Sequence, residues 1–185
     1  YNSISAKEKE AVNILKSWKG TTNLEDVAPT IYNKWIYFYL KNTFEDELGK
    51  DNFNLFLETH VEKQVIAEQI SNENSVWWDN LKTKSIKETR KEIVFKSFKE
   101  TMNSLQKQLG NTVSDWKWEK VHIVEHEHPL GKIAAFRSLF NVGPFSSSGS
   151  NEVINNLFFG LSDNEKHHVK GGPSSRRIVD FSDVE

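Results

Sequence analysis

The sequence predicts an α+β fold: a mostly helical first half over residues 1–110 and a strand-containing second half over 111–185. Three observations predict it. Pairs of the form Ser-x-x-Glu stand where helices would begin, at Ser5 and Glu8 and again at Ser85 and Glu88. Apolar residues then recur at three- and four-residue spacing up to Gly110. Beyond Gly110 that period disappears, and short β-branched or aromatic runs alternate with Gly- and Ser-rich turns. Helices first and strands later is an α+β order.

In chain order, the first helix opens at the Ser5/Glu8 pair and carries Ala11, Ile14, Leu15 and Trp18, with Gly20 suited to a left-handed turn after it. A second opens near Pro29, which a first helical turn tolerates, and places Ile31, Trp35 and Phe38 along one face beside Tyr32 and Tyr39. Gly49 and Asp51 form a stop and a new start, followed by Phe53, Phe56 and Leu57. The next strong helix starts at Ser85 and Glu88 and sets Ile86, Ile93, Val94, Phe98, Met102, Leu105 and Leu109 in one stripe. Strands are expected in VHIV (121–124), KIAAFRSLF (132–140) and RRIVDF (176–181), with turns in PFSSSGS (144–150) and VKGGPSS (169–175). Strands so few and scattered complete a sheet whose other members lie outside this sequence, since an isolated one would leave open edges.

Composition narrows the function classes. A chain of 185 residues with 6 Trp and 12 Phe has enough apolar mass for one real core. A net charge of −2 gives no concentrated basic face for phosphates, so no nucleic-acid partner is expected. The basic run Lys82, Lys84, Lys87, Arg90 and Lys91 is interrupted by Glu88 and Glu92 and reads as a solvated helix face. With 0 Cys, disulfides, thiolate chemistry and Cys-type zinc sites are excluded. The longest apolar run, WIYFYL (35–40), falls far short of the roughly 20 residues that span a bilayer, so no membrane partner is expected.

Three ordered segments carry the functional information: DWKWEKVHIVEHEHPLG (115–131), NVGPFSSSGSNEVINN (141–156) and GGPSSRRIVDFSDVE (171–185). Trp116, Trp118 and His122, then His128, Pro129, Leu130 and Gly131, follow the order W-x-W-G-x-x-H and H-P-L-G, with Glu119 in the glycine place. Gly143, Pro144, Phe145 and Gly149 follow G-P-F-P-x-x-G, with Ser146 for the second proline, and Val153, Ile154 and Asn155 stand loosely for T-V-N. Gly172, Pro173, Ser174, Arg176, Ile178, Val179 and Asp180 follow G-P-S-[YW]-R-M-I-V-D, with Ser175 and Arg177 as departures. AVNILKSWKG (11–20) is similar to L-x-x-W-D-G with Lys19 for aspartate, and the helix through Tyr32 and Trp35 and the segment FEDELG (44–49) belong to the same set. The set resembles the carboxy-terminal part of the β-subunit of the penicillin amidase (penicillin acylase) family.

That resemblance implies a part of the four-layer αββα sandwich of the amino-terminal nucleophile hydrolases. Family members arise as self-cleaving precursors whose β-subunit begins with a serine activated by its own α-amine. The resemblance places that serine, the oxyanion asparagine and the calcium ligands upstream of the matching part. Tyr1 has no nucleophilic side chain of the required type. No catalytic, cofactor-binding or metal residue is therefore carried over, no cofactor is expected in this chain, and the chain alone is expected to be inactive. Its implied partners are the remainder of the same enzyme (α-subunit and amino-terminal part of the β-subunit) or further copies of itself. The full enzyme's substrate would be a small N-acyl compound, in a bacterial periplasmic or secreted setting.

Other readings stand beside this one. His122, His126 and His128 with Glu125 and Glu127 could make a three-histidine metal site, the basis of a small metallohydrolase. The plainer reading has His122 anchoring a strand end by hydrogen bonding and the rest in a solvated turn. His167 and His168 read as an exposed loop. The turn at 143–152 could cradle an anion but lacks the P-loop pattern and reads as structural. Asn155 and Asn156 could face a pocket, Ser174 and Ser175 form no nucleophile elbow, and the aromatic stripes read as core rather than cage. The alternative for the whole chain is a stand-alone, non-catalytic helical interaction domain.

Overall fold

The computed structural model describes residues 4–59, 61–173, 179–180 and 182. Helix α1 (Ala6–Ser17) begins as expected: the Ser5 amide donates to the Glu8 carboxylate at 2.7 Å and the Glu8 amide donates back to the Ser5 hydroxyl at 3.3 Å. Helix α2 (Ala28–Leu57) has Pro29 in its first turn and is broken at Gly49, whose φ of 73° and ψ of 159° no helix contains. The left-handed φ is open to glycine and costly for other residues, so the expected stop is a kink there. Helix α3 (Val61–Ser71), which no expectation had singled out, lays Val65 and Ile66 on the outer half of α2.

Helix α4 (Arg90–Leu109) starts four residues later than its sequence suggests. The same Ser/Thr-x-x-Glu pattern occurs twice in succession, and the cap used is Thr89 with Glu92 rather than Ser85 with Glu88. Glu88 is engaged elsewhere: its carboxylate accepts the Asn80 amide at 3.0 Å and the Thr83 hydroxyl at 2.7 Å, closing the preceding loop. Ile86 is accordingly 61% exposed and does not belong to the stripe. From Ile93 onward the stripe is as expected, ending at Gly110 with φ 93°.

Among the described residues, two of the three core clusters lie along the α2–α4 contact. One joins Ala11, Ile31, Phe98, Met102, Leu105, Val113 and Trp116. The other joins Tyr39, Leu40, Phe44, Phe53, Trp78 and Ile93. The aromatic stripes are thus core.

After α4 the chain builds a mixed three-stranded sheet in the order β2-β1-β3. Strand β1 (His122–His126) pairs antiparallel with β2 (Val142–Ser146) and parallel with β3 (His167–His168). Three expectations need correction. KIAAFRSLF (132–140) is no strand but a run of tight turns ending in the one-turn helix α5 (Arg137–Phe140). The reason is a clamp that brings the ends of this stretch together. Asn141 accepts the His128 amide at 3.0 Å and donates to Glu125 at 3.1 Å, and it lies so close to Gly131 that a Cβ there would sit 1.7 Å from its side-chain oxygen. Residues read as turn, Pro144 to Ser146, instead finish β2. His167 and His168, read as exposed loop, form β3, and His167 is only 3% exposed. The strand expected at 176–181 lies outside the described residues apart from Val179 and Asp180, which are in no strand.

Candidate functional site

Trp118 and His122 of the first motif and Gly149 of the second converge on one buried ring group. Trp118 sits in a tight turn held from below by the α1–α2 loop, its amide donating to the Asp26 carbonyl at 2.8 Å and that of Glu119 to Leu24 at 2.9 Å. Its indole N–H donates to the Gly149 carbonyl at 2.8 Å, and its face stacks on His122 at 4.7 Å and 10°. Both His122 nitrogens face backbone carbonyls, Nδ1 at 2.7 Å from Ser147 and Nε2 at 3.1 Å from Leu157. Phe159 and His167 complete the group, 4.4 Å apart. Gly149 meets this group at φ 99°, and a Cβ on it would fall 2.3 Å from the Asn155 carbonyl, so only glycine fits. Trp118, His122, Gly149 and Asn155, far apart in sequence, therefore meet, the first three through hydrogen bonds to backbone carbonyls.

Beside the rings lies Lys34 of α2, almost wholly buried. Its ammonium donates to the Asn164 carbonyl at 2.8 Å and lies 3.6 Å from the Asp163 carboxylate. Burial pulls this lysine below its ordinary value, while Asp163 and Glu165 pull it back. Asp163 also accepts from Ser104 of α4 at 2.9 Å, so one acidic loop ties α2 and α4 to the strand region. No sequence pattern pointed to Lys34 or Asp163; a lysine on the apolar side of a helix was the available signal.

Burial holds His122 below the usual histidine range, opposed by its two carbonyl partners. His167 is held far lower, at about 3, by burial first and then by the positive charge of Lys34. Its folded value lies below the ordinary 6.5, so His167 is neutral when folded, and the unfolded chain alone takes up the proton as pH falls. The contribution is complete above about pH 6.5 and is lost progressively toward pH 3. His167→Phe should therefore lose less stability than the parent chain between pH 7 and pH 5, read as denaturation midpoints at each pH. Parallel pH dependences would show that His167 is not buried uncharged.

The remaining candidates disperse. His126 ends β1, and His128 caps the next turn by accepting the Leu130 amide on Nδ1 at 3.2 Å while stacking on Phe140. Glu125 binds Arg137 and Asn141, with Arg137 first among the causes that hold its carboxyl below the usual range. Among the described residues no group of three or more His, Asp or Glu is placed to hold a metal. Of the 143–152 stretch, residues up to Ser146 belong to β2 and the rest is a structural connection: Gly149 donates to the Thr22 carbonyl at 3.1 Å, and Asn155 donates to Ser148 at 2.9 Å. Ser174 and Ser175 lie outside the described residues.

A cleft opens next to the ring group between α2, α3 and residues 150–153. Trp18, Tyr32, Ile36 and Ile66 line its apolar side, and Lys63 pairs with Glu152 across its rim. Glu152 holds a left-handed backbone at φ 59°, a strained state for a residue with a side chain. Ser150, buried in this cleft, donates its amide to the Asn155 carbonyl at 3.3 Å, and among the described residues no histidine lines the cleft with it. Trp118 and His122 hold the strand region on the helices, and their polar atoms are spent on backbone groups. No helix among the described residues is long and apolar enough to cross a membrane.

The chain is 25% identical over 186 residues to "Acyl-homoserine lactone acylase QuiP" of Pseudomonas fluorescens (strain Pf0-1), a match covering 97% of this chain and 21% of that protein. The chain thus spans about a fifth of the length of the curated relative it matches. The penicillin amidase family model matches residues 2–185, nearly the whole sequence, and the chain belongs to the penicillin amidase family.

Proposed function

We propose that this chain is one part of an acylase that hydrolyses the amide bond of an N-acyl compound, with the nucleophile supplied by a part of the enzyme outside it. The observation that carries this reading is a family match along residues 2–185 combined with coverage of only 21% of an acylase relative. The geometry supports it: the matching motif residues act as scaffold, as expected of a part that positions rather than performs the chemistry. In this reading an autoprocessed precursor exposes a β-subunit serine whose α-amine serves as its base. Attack on the acyl carbon gives an acyl-enzyme and frees the amine, and backbone and amide donors outside this chain hold the oxyanion. The three strands seen here join a larger αββα sandwich, and the enzyme works outside the cytoplasm.

The test is to express the complete reading frame beside the 185-residue chain and assay both against acyl-homoserine lactones and phenylacetyl, glutaryl and long-chain acyl amides. The full enzyme should release amine and lose that activity when its β-subunit serine is changed to alanine, and this chain alone should match the blank. Turnover by the chain alone would overturn the assignment of the nucleophile. A reading frame with no further residues and no activity would favour the stand-alone interaction domain.

A further inference from the structure

We propose that the closed loop before α4, residues 80–88, seats this protein on a bilayer surface rich in anionic phospholipid headgroups. The basic run that reads as a helix face in the sequence is not one. Helix α4 begins at Arg90, and Lys82, Lys84 and Lys87 stand in the loop ahead of it. Every residue from 81 to 87 is exposed. None of the three lysines has an ion pair among the described residues. Interleaved with them are Leu81 and Ile86, each 61% exposed. The loop is shaped, not loose. Glu88, its one acidic side chain, accepts the Asn80 amide and the Thr83 hydroxyl, so that carboxylate is spent on closing the loop. The Leu81 amide donates to Asp46 at 2.7 Å, and Trp77, itself 36% exposed, meets Phe44 edge to face at 5.2 Å. Trp77 and the base of the loop are therefore anchored on the same turn of α2.

The mixture of side chains selects the partner. The covered centre of a protein–protein interface is depleted in lysine, whereas here lysines alternate with the exposed aliphatic residues. A bilayer surface suits both kinds at once. Aliphatic side chains and an indole enter the boundary below the headgroups, and lysine stems lie along apolar surface while their ammonium groups reach the phosphates. Clustered lysines add attraction for anionic lipid, and the loop has no free carboxylate to oppose them. A stretch too short to cross a bilayer can still lie on one: crossing takes roughly 20 apolar residues, whereas surface binding takes apolar area together with cations. This inference does not depend on the acylase reading.

The test uses the complete protein, mixed with vesicles of phosphatidylcholine alone or of phosphatidylcholine with about 30% phosphatidylglycerol, with bound protein read by flotation. Partitioning onto the anionic vesicles should exceed that onto the neutral ones at least about tenfold at about 0.1 M salt, and fall steeply by about 0.5 M. Changing Lys82→Gln, Lys84→Gln and Lys87→Gln together should weaken it about a hundredfold. Leu81→Ser with Ile86→Ser should weaken it at least about tenfold through lost apolar contact. Both variants alter only exposed side chains, and an unchanged circular dichroism spectrum checks that each is folded. Equal partitioning of the parent protein onto both vesicle types would overturn the proposal, as would binding that neither variant weakens. Binding to polyglutamate as tight as to the anionic vesicles, and indifferent to the Leu81 and Ile86 changes, would assign the loop to an acidic protein and overturn it too. Amide hydrolysis is measured on the same preparations. An active enzyme that ignores the vesicles sinks the lipid surface and leaves the acylase reading intact, and a vesicle-bound protein that hydrolyses no N-acyl amide does the reverse.

Discussion

Replacing Trp118 with alanine is expected to lower stability by about 3–5 kcal/mol, the cost of removing a fully buried aromatic side chain. Three contacts disappear together. The stack on His122 at 4.7 Å is lost, the packing on Val121 and Phe159 is opened, and the Gly149 carbonyl loses its indole donor. A buried acceptor left unpaired costs about 1–3 kcal/mol by itself. Trp118→Phe separates the two parts: it retains most of the packing and should lose about 1–3 kcal/mol, mainly from the stranded carbonyl. Denaturant unfolding of both variants checks this. A loss under about 1 kcal/mol for the alanine variant would mean that the ring group does not hold the strand region on the helices.

The second large effect is expected in α4. Phe98→Ala should cost about 3–5 kcal/mol and Leu105→Ala about 2–5 kcal/mol, through lost burial and the cavities left behind. Phe98 also meets Trp35 edge to face at 5.1 Å, an arrangement worth about 0.5–1.5 kcal/mol beyond its area. Ile86→Ala is the internal control. That residue belonged to the expected stripe, but the helix begins after it and the side chain faces solvent, so its loss should stay within about 0.5 kcal/mol. Equal effects at positions 86 and 105 would show that the helix starts at the earlier Ser-x-x-Glu pair after all.

The errors in reading the sequence share a cause. Ser85-x-x-Glu88 and Thr89-x-x-Glu92 satisfy the same capping rule, and local chemistry cannot choose between them. The choice is made by Asn80 and Thr83, which occupy the Glu88 carboxylate across a loop. KIAAFRSLF has the composition of a strand, but the Asn141 clamp forces its ends together. Strand β3 is two residues long, too short for any alternation to register, and exists because the His167 amide donates to the Val121 carbonyl and the Val169 amide to Ile123 at 2.9 Å. Lys34 offered only its place on the apolar side of a helix, because its partners are backbone carbonyls some 130 residues further along the chain.

What the sequence determined by itself was whatever depends on near neighbours: the α1 cap, the break at Gly49, the stripe from Ile93 to Leu109 and the stop at Gly110. It also carried the family, because motif order survives without knowledge of where the chain goes. Tertiary structure alone decided what those motifs do. Trp118, His122 and Gly149 become a single buried unit only when the loop before α2, the turn after β2 and the segment around Phe159 arrive at one place. A helix turn is held by contacts three or four residues apart, whereas a buried histidine needs partners from three separate segments. The former can be read along the chain; the latter is set by how the segments pack.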